Sequence, residues 1–269
     1  MKGNVHKSRE FQADMNRLLL GVLCCTIGII KLTRKETVHT MIYTLTRSKR
    51  KTVALYIRDG DIEVRAPNRM PKREIEKFIA SKEKWILSNI NLHRQREKSR
   101  ERFNLDYGST VVCCGKPRLI TAISDRHNHC EGRIGFDDER ICIPADLSHD
   151  AVKRACIEVC KMIAKRDLTE KTNDYARQLS VTPAFVKVNS AKSRWGSCSA
   201  KKSINYSWRL ILADDDVVDY VVVHELAHMI ELNHSKRFWA IVENILPDYR
   251  ERRKRLKELQ RRLSGEDWD

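Results

Sequence analysis

Two histidines and a glutamate in the sequence have the spacing of a metal centre with a catalytic base. They form the pattern His-Glu-x-x-His, with His224, Glu225 and His228. In an α-helix, four residues bring the second histidine back to within about 40° of the first, one turn further along, so both imidazoles can reach one metal ion. The adjacent carboxylate can accept a proton from water without being a ligand. The pattern therefore predicts a zinc site in which Glu225 is the general base.

The residues around this pattern predict that its helix is buried. The segment 217–231 is apolar on nearly every side, which is typical of a helix at the centre of a domain. Three aspartates at 214–216 suit the N-cap and the first turn of such a helix. Burying two histidines and a glutamate without partners would cost several kcal/mol, and a metal ion supplies the missing partner.

A third ligand is predicted beyond the end of this helix. His234 follows His224 by ten residues, and a continuous helix would carry it about 80° around and too far along the axis. The helix must therefore end first, which Asn233 permits because it tolerates the left-handed conformation. Ser235 is a suitable N-cap for the next helix. His234 is the predicted third ligand, and Glu243, on that next helix, is the alternative.

The loop before the metal-binding helix contains residues that could shape a substrate groove. Arg194, Trp195 and Ser197 lie in the run Arg-Trp-Gly-Ser-Cys, beside a predicted edge strand. The alternative is that Trp195 anchors the loop onto the core, and the sequence leaves both interpretations open. Cys198 is a further candidate for a zinc ligand or a nucleophile, but three histidines already provide a full set of protein ligands for a catalytic zinc.

The elements that must position these residues are predicted from hydrophobic periodicity and turn signals. An antiparallel three-stranded meander is expected at 43–47, 52–58 and 62–66, with an Asp-Gly turn between the last two strands. One long helix follows from Pro71 to about residue 98, and short strands fill 105–144. The remaining predictions are a helix at 149–179 with a buried stripe of Val152, Cys156, Val159, Cys160 and Ile163, strands at 184–189 and 204–213, and helices at 217–231, 235–246 and 248–263.

Composition and charge narrow the class of protein. The chain has 269 residues, and 52 Lys and Arg against 36 Asp and Glu give a net charge of +16. Such a charge favours anionic partners, and the basic segments 94–102 and 250–262 are candidates for nucleic-acid contact, although solvated helices are the simpler interpretation. Nine cysteines without a Cys-x-x-Cys pair argue against a secreted disulfide framework and a zinc ribbon, and favour free thiols in a reducing compartment. His127, His129 and Cys130 are interpreted as a polar loop.

The N-terminus carries an apolar run at 18–30, after a basic start. These thirteen residues are too few to span a bilayer, which needs about 20. The run has the length of a signal-peptide core, but lysines and an arginine follow it instead of a cleavage site. We therefore interpret 1–36 as an N-terminal extension of uncertain status. We expect a cytoplasmic protein without an integral membrane span, and keep secretory or membrane association as a minor alternative.

Several motifs taken together resemble those of a known family. They are Arg194-Trp-Gly-Ser-Cys198, Ile204-Asn-Tyr-Ser-Trp-Arg-Leu-Ile-Leu-Ala213, Asp219-Tyr-Val-Val-Val-His-Glu-Leu-Ala-His228, Asn233-His-Ser-Lys-Arg-Phe-Trp239 and Pro247-Asp-Tyr249. The combination is similar to that of the YgjP-like, SprT-related zinc metallopeptidases over about residues 43–263, and most densely over 192–249. The resemblance implies that zinc is bound by three histidines, His224, His228 and His234, with Glu225 as the base.

The same resemblance implies an α+β fold, with a β-rich N-terminal part before a zincin-like, minigluzincin-type helical catalytic domain with a small antiparallel sheet. The expected domains are the extension 1–36, a β-rich part with one long helix at 37–145, the zincin-like domain at 146–263, and an acidic tail at 264–269. The expected function is zinc-dependent hydrolysis of a peptide or protein substrate. Because the family also carries a UTP pyrophosphatase label and SprT-related proteins act near DNA, the alternatives are a nucleotide hydrolase and a nucleic-acid-associated protein. The sequence contains no glycine-rich phosphate loop in support of the nucleotide alternative.

Overall fold

The computed structural model describes three stretches of the chain, namely 25–34, 37–123 and 134–269. The first part of the predicted extension, the first part of its apolar run and the predicted polar loop around His127 lie outside these residues. The chain divides into two compact units, Met1–Glu97 and Lys98–Asp269, each with its own hydrophobic core. The described residues form six α-helices and three small sheets, so the predicted α+β class is confirmed.

The first unit contains a four-stranded sheet. Its strands are β1 (Cys25–Arg34), β2 (Thr37–Ser48), β3 (Ala54–Arg58) and β4 (Asp61–Pro67), in the order β1-β2-β4-β3. β3 and β4 form the predicted hairpin, whose turn residues Asp59 and Gly60 both have positive φ. The predicted meander is wrong, because β2 pairs in parallel with β4 and β3 lies at the edge. β4 takes the central place because its alternate residues Ile62, Val64 and Ala66 are almost completely buried.

β1 lies within the predicted N-terminal extension. It pairs antiparallel with β2 from Cys25 to Arg34. Gly28 crosses close to the ring of Tyr43, and a Cβ at this position would overlap that ring. The end of the apolar run 18–30 therefore belongs to the sheet of this unit.

The predicted long helix after β4 is two helices, α1 (Lys72–Ser81) and α2 (Glu83–Arg102). Pro71 is the N-cap of α1, where its missing N–H is not needed. The helices separate at Lys82, whose N–H donates to the carbonyl of Ile79, three residues back instead of four. None of the described helices is long and apolar enough to cross a membrane.

The second unit begins with a four-stranded sheet and a long helix. The strands are β5 (Thr110–Cys113), β6 (Lys116–Ala122), β7 (Gly135–Phe136) and β8 (Arg140–Ile143), in the order β5-β6-β8-β7. The helix is α3 (His149–Gln178), which buries the predicted stripe of Val152, Cys156, Val159, Cys160 and Ile163. The strands and the helix share one core, and the predicted domain boundary between 145 and 146 lies inside this unit.

A smaller sheet of the second unit follows α3. Its strands are β9 (Phe185–Asn189), β10 (Gly196–Cys198) and β11 (Ser203–Ser207), in the order β10-β11-β9. β10 is antiparallel to β11 and β9 is parallel to it, so the small sheet is mixed where the prediction was antiparallel. The predicted strand at 204–213 ends at Ser207, and Trp208–Leu212 forms a 3-10 helix. All five of its residues are buried, which removes the alternating exposure that a half-buried strand would show.

Three helices complete the second unit. They are α4 (Asp215–Ala227), α5 (Lys236–Ile245) and α6 (Tyr249–Leu263). The residues after α6, predicted as an acidic tail, return to the core: Trp268 is 6% exposed and meets Trp208 edge to face. Arg209 holds this segment by donating to the carbonyl of Trp268 and to the carboxylate of Asp269.

Candidate metal centre

The helix α4, which contains His224 and has His228 as its C-cap, is fixed by burial along its body and by ion pairs at its start. Val218, Val222 and Leu226 are completely buried in the core of the second unit. At the N-terminus, Arg255 of α6 donates to the carboxylates of Asp214 and Asp216, at distances of 2.5 to 2.8 Å. The aspartates predicted for capping thus hold α6, and the N-cap side chain makes no capping hydrogen bond.

α4 ends at Ala227, earlier than the predicted Glu231. The N–H groups of Met229 and Ile230 donate to carbonyls three residues back, which tightens the chain into a turn that includes His228, the C-cap of the helix. The next helix starts where the sequence predicts, because the hydroxyl of Ser235 accepts from the N–H of Phe238 at 3.3 Å. His234 therefore lies at an elbow between two helices.

The elbow brings the three predicted histidine ligands together. One ring nitrogen each of His224, His228 and His234 lies within 4.8 Å of the other two. The Nε2 atoms of His224 and His234 are 3.1 Å apart. The alternative third ligand, Glu243, instead forms an ion pair with Arg250 at 3.3 Å. Among the described residues, the cluster that could hold a metal ion consists of the three imidazoles.

The electrostatics of the cluster favour neutral imidazoles. Burial, together with the charges of His228, His234 and Arg253, lowers the pKa of His224 to about 3. Burial also lowers the pKa of His228. The Nδ1 atom of His228 lies 3.3 Å from the carbonyl oxygen of Glu231, so that nitrogen donates and Nε2 keeps its lone pair. Converging neutral imidazole nitrogens are the donors that zinc prefers, so these residues fit a metal ion.

Aromatic rings hold the imidazoles in place, a feature that the sequence analysis did not assign. The ring of Phe238 lies 4.5 to 4.9 Å from all three histidine rings. Trp239 stacks on His234 at 5.6 Å, and Tyr249 of α6 stacks on Trp239 at 5.3 Å. The available signal was the Phe-Trp pair in the first turn of α5, a pair that begins four residues after the third histidine.

Glu225 points from α4 towards β10 and is 6% exposed. Its carboxylate accepts a hydrogen bond from the N–H of Cys198, while burial raises its pKa to about 7. Gly196 makes room for it, because a Cβ on that residue would lie 2.7 Å from both Cγ and Oε1 of Glu225. The role of Gly196 is not evident from the sequence, since this contact joins two residues that are far apart in the chain.

The loop residues predicted to shape a substrate groove differ in their surroundings. Trp195 is partly buried against the core of the unit, and its carbonyl accepts from the N–H of Ser207 at 2.8 Å. Ser197 lies in β10, opposite Asn205 of β11. Arg194 is exposed. The structure thus shows an anchoring contact for the tryptophan and places the serine on the strand beside Glu225.

Cys198 does not join the described metal cluster. Its Sγ lies 3.7 Å from the carbonyl oxygen of Ser199. Burial raises the pKa of its thiol, and the charge of Glu225 raises it further. A raised pKa makes the thiol a weak nucleophile at neutral pH, and its sulfur lies outside the described cluster of the three imidazoles.

Two α-helices that bring three imidazoles and a buried carboxylate together define a candidate metallohydrolase centre. The chain belongs to the YgjP-like family, because the family's metallopeptidase domain matches residues 51–259. Comparison with curated proteins gave no match.

Among solved structures, the chain is similar to the metallopeptidase zymogen of Pyrococcus abyssi abylysin. The two are 22% identical over 33% of this chain and 90% of that chain, with a TM-score of 0.31. A TM-score of this size does not establish a common fold.

Proposed function

We propose that this chain is a zinc-dependent peptidase with a zincin-like catalytic unit. In this proposal His224, His228 and His234 hold the metal, and Glu225 is the general base. The observation that carries the proposal is that three imidazole nitrogens converge within 4.8 Å of one another. Beside them is the buried carboxylate of Glu225, which lies on the same helix as His224. The family of the chain supports peptide hydrolysis as the reaction.

The chemistry that zinc supplies at such a site is polarisation of the scissile carbonyl and activation of water. The carboxylate of Glu225 accepts the proton of the attacking water, whose oxygen bonds to the carbonyl carbon. When the C–N bond breaks, the same carboxyl group returns the proton to the departing amine nitrogen. The N–H of Cys198 and the space at Gly196 hold the carboxylate in the position that both transfers require.

The strand β10 is the element that would align the substrate. It pairs with β11 along one side and lies at the edge of the described sheet. The N–H and C=O groups of an edge strand can pair with an extended peptide. A peptide added along this edge would run beside Glu225, because Gly196 of the same strand contacts that side chain.

Glu225→Gln tests the proposal. The amide keeps the shape of the side chain but cannot take a proton, so turnover of casein should fall by at least about 100-fold. Zinc content should stay at one ion per chain, because the ligands are unchanged. Glu258→Gln is the matched control, since Glu258 lies on the exposed surface of α6.

Parallel assays on UTP, with and without a chelator, separate the peptidase from a nucleotide hydrolase. Chelator-sensitive cleavage of casein and no cleavage of UTP is the expected result. Retention of full casein hydrolysis by Glu225→Gln, or turnover of UTP alone, would contradict the proposal.

A further inference from the structure

The helix α6 is strongly basic, and most of its cations are engaged by neighbouring carboxylates or carbonyls. Eight Lys and Arg lie between residues 250 and 262, with two Glu. Those in ion pairs are Arg250 with Glu243, Arg252 with Asp248, Lys254 with Glu251, Arg255 with Asp214 and Asp216, and Arg262 with Glu266. In the part of the chain that the structure describes, Arg253, Lys257 and Arg261 form no ion pair.

Of these three cations, Arg253 alone has a described contact with a ring of the candidate metal centre. Its guanidinium carbon lies 5.3 Å from the centroid of the Trp239 ring. The same indole stacks on His234 at 5.6 Å and lies 6.0 Å from His224, centroid to centroid.

The guanidinium lies over the indole of Trp239, and its hydrogen-bond donors remain available. Tyr249, one helical turn before Arg253, stacks on Trp239 at 5.3 Å, so the two side chains of α6 approach the same indole. A cation held over an indole loses little of its hydrogen-bonding capacity, because the ring occupies only one face of the planar group. Arg253 is exposed to solvent. An anion arriving from solvent can therefore reach it beside the metal centre.

We propose that Arg253 forms an anion subsite next to the metal centre that binds a carboxylate of the peptide substrate. The proposal rests on the proposed peptidase function, and the feature of the substrate that this site would recognise is a carboxylate. The carboxylate has two sources, the side chain of an Asp or Glu near the scissile bond and the free C-terminus of the peptide. A planar guanidinium binds either in a bidentate manner.

A carboxylate fits this subsite better than a phosphate group. Phosphate sites in proteins combine several backbone N–H groups of a glycine-rich loop or a helix N-terminus with a cation. Arg253 lies inside α6 (Tyr249–Leu263), where backbone N–H groups are engaged in the helix. The subsite thus offers a single bidentate donor, which matches one carboxylate.

Arg253→Gln tests the subsite, and Arg261→Gln is its matched control. Arg261 lies on the same helix, is also exposed and also lacks a described ion pair, but is two turns away. The probes are fluorescently labelled alanine hexapeptides with one Glu or one Gln at each position, each with a free or an amidated C-terminus. Equilibrium binding is measured on the zinc-loaded Glu225→Gln protein, and kcat/KM on the otherwise unchanged chain.

The Glu peptides, or the peptides with a free C-terminus, should bind about 10- to 100-fold more tightly than their neutral twins, as expected for a charge-assisted pair. Arg253→Gln should abolish this difference, and Arg261→Gln should preserve it. A preference that is absent in the parent protein, or that survives Arg253→Gln, overturns the subsite. If the preference is present but no peptide is cleaved, the subsite stands and the peptidase proposal fails.

Discussion

At the scale of single residues, Gly196 sets the room that the carboxylate of Glu225 has. The two residues lie on different elements, and Glu225 Cγ and Oε1 come to 2.7 Å from the point that a Cβ on Gly196 would occupy. φ of Gly196 is not in the left-handed region, so the backbone conformation does not require glycine there. Glycine is required because the carboxylate of Glu225 approaches so closely that it leaves no space for a Cβ.

Gly196→Ala should therefore reduce activity without removing the metal. The added methyl group displaces a buried side chain whose position decides proton transfer, and misplacement by about 1 Å can cost as much as 100-fold in rate. We expect kcat for casein to fall at least about tenfold. Zinc content, measured by elemental analysis, should remain that of the parent protein, because other contacts hold the imidazoles.

Gly265→Ala is the control for this substitution. Gly265 belongs to the same unit, and its added Cβ would lie 3.3 Å from its nearest neighbour, the Cβ of Ser99. Its activity should stay close to that of the parent. Full activity of Gly196→Ala would mean that the carboxylate tolerates displacement, which would contradict its role as the base.

At the scale of elements, the metal centre depends on where one helix ends and the next begins. α4 ends at Ala227 and α5 begins after Ser235, so His234 turns back towards His224 instead of continuing along the helix axis. Glu243, seven residues into α5 from Lys236, is paired with Arg250 and lies outside the cluster. The elbow between the two helices thus places the third ligand, His234, whereas Glu243 on α5 lies outside the cluster.

This arrangement predicts that His234→Ala and Glu243→Ala differ in zinc affinity. Loss of a residue behind a ligand weakens metal binding by about 10- to 100-fold, and loss of a ligand itself should exceed that range. We expect His234→Ala to bind zinc more than about 100-fold more weakly, and Glu243→Ala to bind as the parent does. Competition with a calibrated chelator measures both, and the reverse order would assign the chain to a glutamate-ligated site.

Local patterns predicted most of these elements, and contacts between distant residues explain the differences. The buried stripe of α3 and the N-cap at Ser235 follow from the spacing of residues within one segment. The parallel pairing of β2 with β4 does not, because it joins two strands that β3 separates in the chain. The 3-10 helix after β11 also depends on contacts between distant residues, since α3 and Trp268 bury it.

The candidate site was predictable to the same extent. The spacing along the chain predicts the roles of His224, Glu225, His228 and His234. It does not predict the role of Gly196, because a glycine in a polar loop has many possible roles until the strand it belongs to meets α4. The same holds for the pairing of Trp239 with α6, which joins residues of different helices.

At the scale of the whole molecule, charge and core division have different consequences. The net charge of +16 is spread over both units, and the expected contact of the basic segment 94–102 with nucleic acid stays a prediction. The two units, in contrast, each have their own hydrophobic core, and we expect a bound metal ion to affect the stability of only one of them. All three histidines belong to the second unit, Lys98–Asp269.

Zinc should therefore raise the unfolding temperature of the second unit and leave that of the first unchanged. A ligand at 100 times its Kd stabilises the state that binds it by about 2.7 kcal/mol. For a domain of this size that corresponds to an increase in Tm of about 5 to 10 °C. The unfolding temperature rises because zinc binds the folded state preferentially. The unfolded chain does not hold the three imidazoles together at the elbow. Differential scanning calorimetry of the full chain with zinc and with chelator measures the shift, and His228→Ala, which removes a ligand, is the control. If His228→Ala shows the same shift as the parent, the stabilising ion binds elsewhere, and the elbow is not the metal centre.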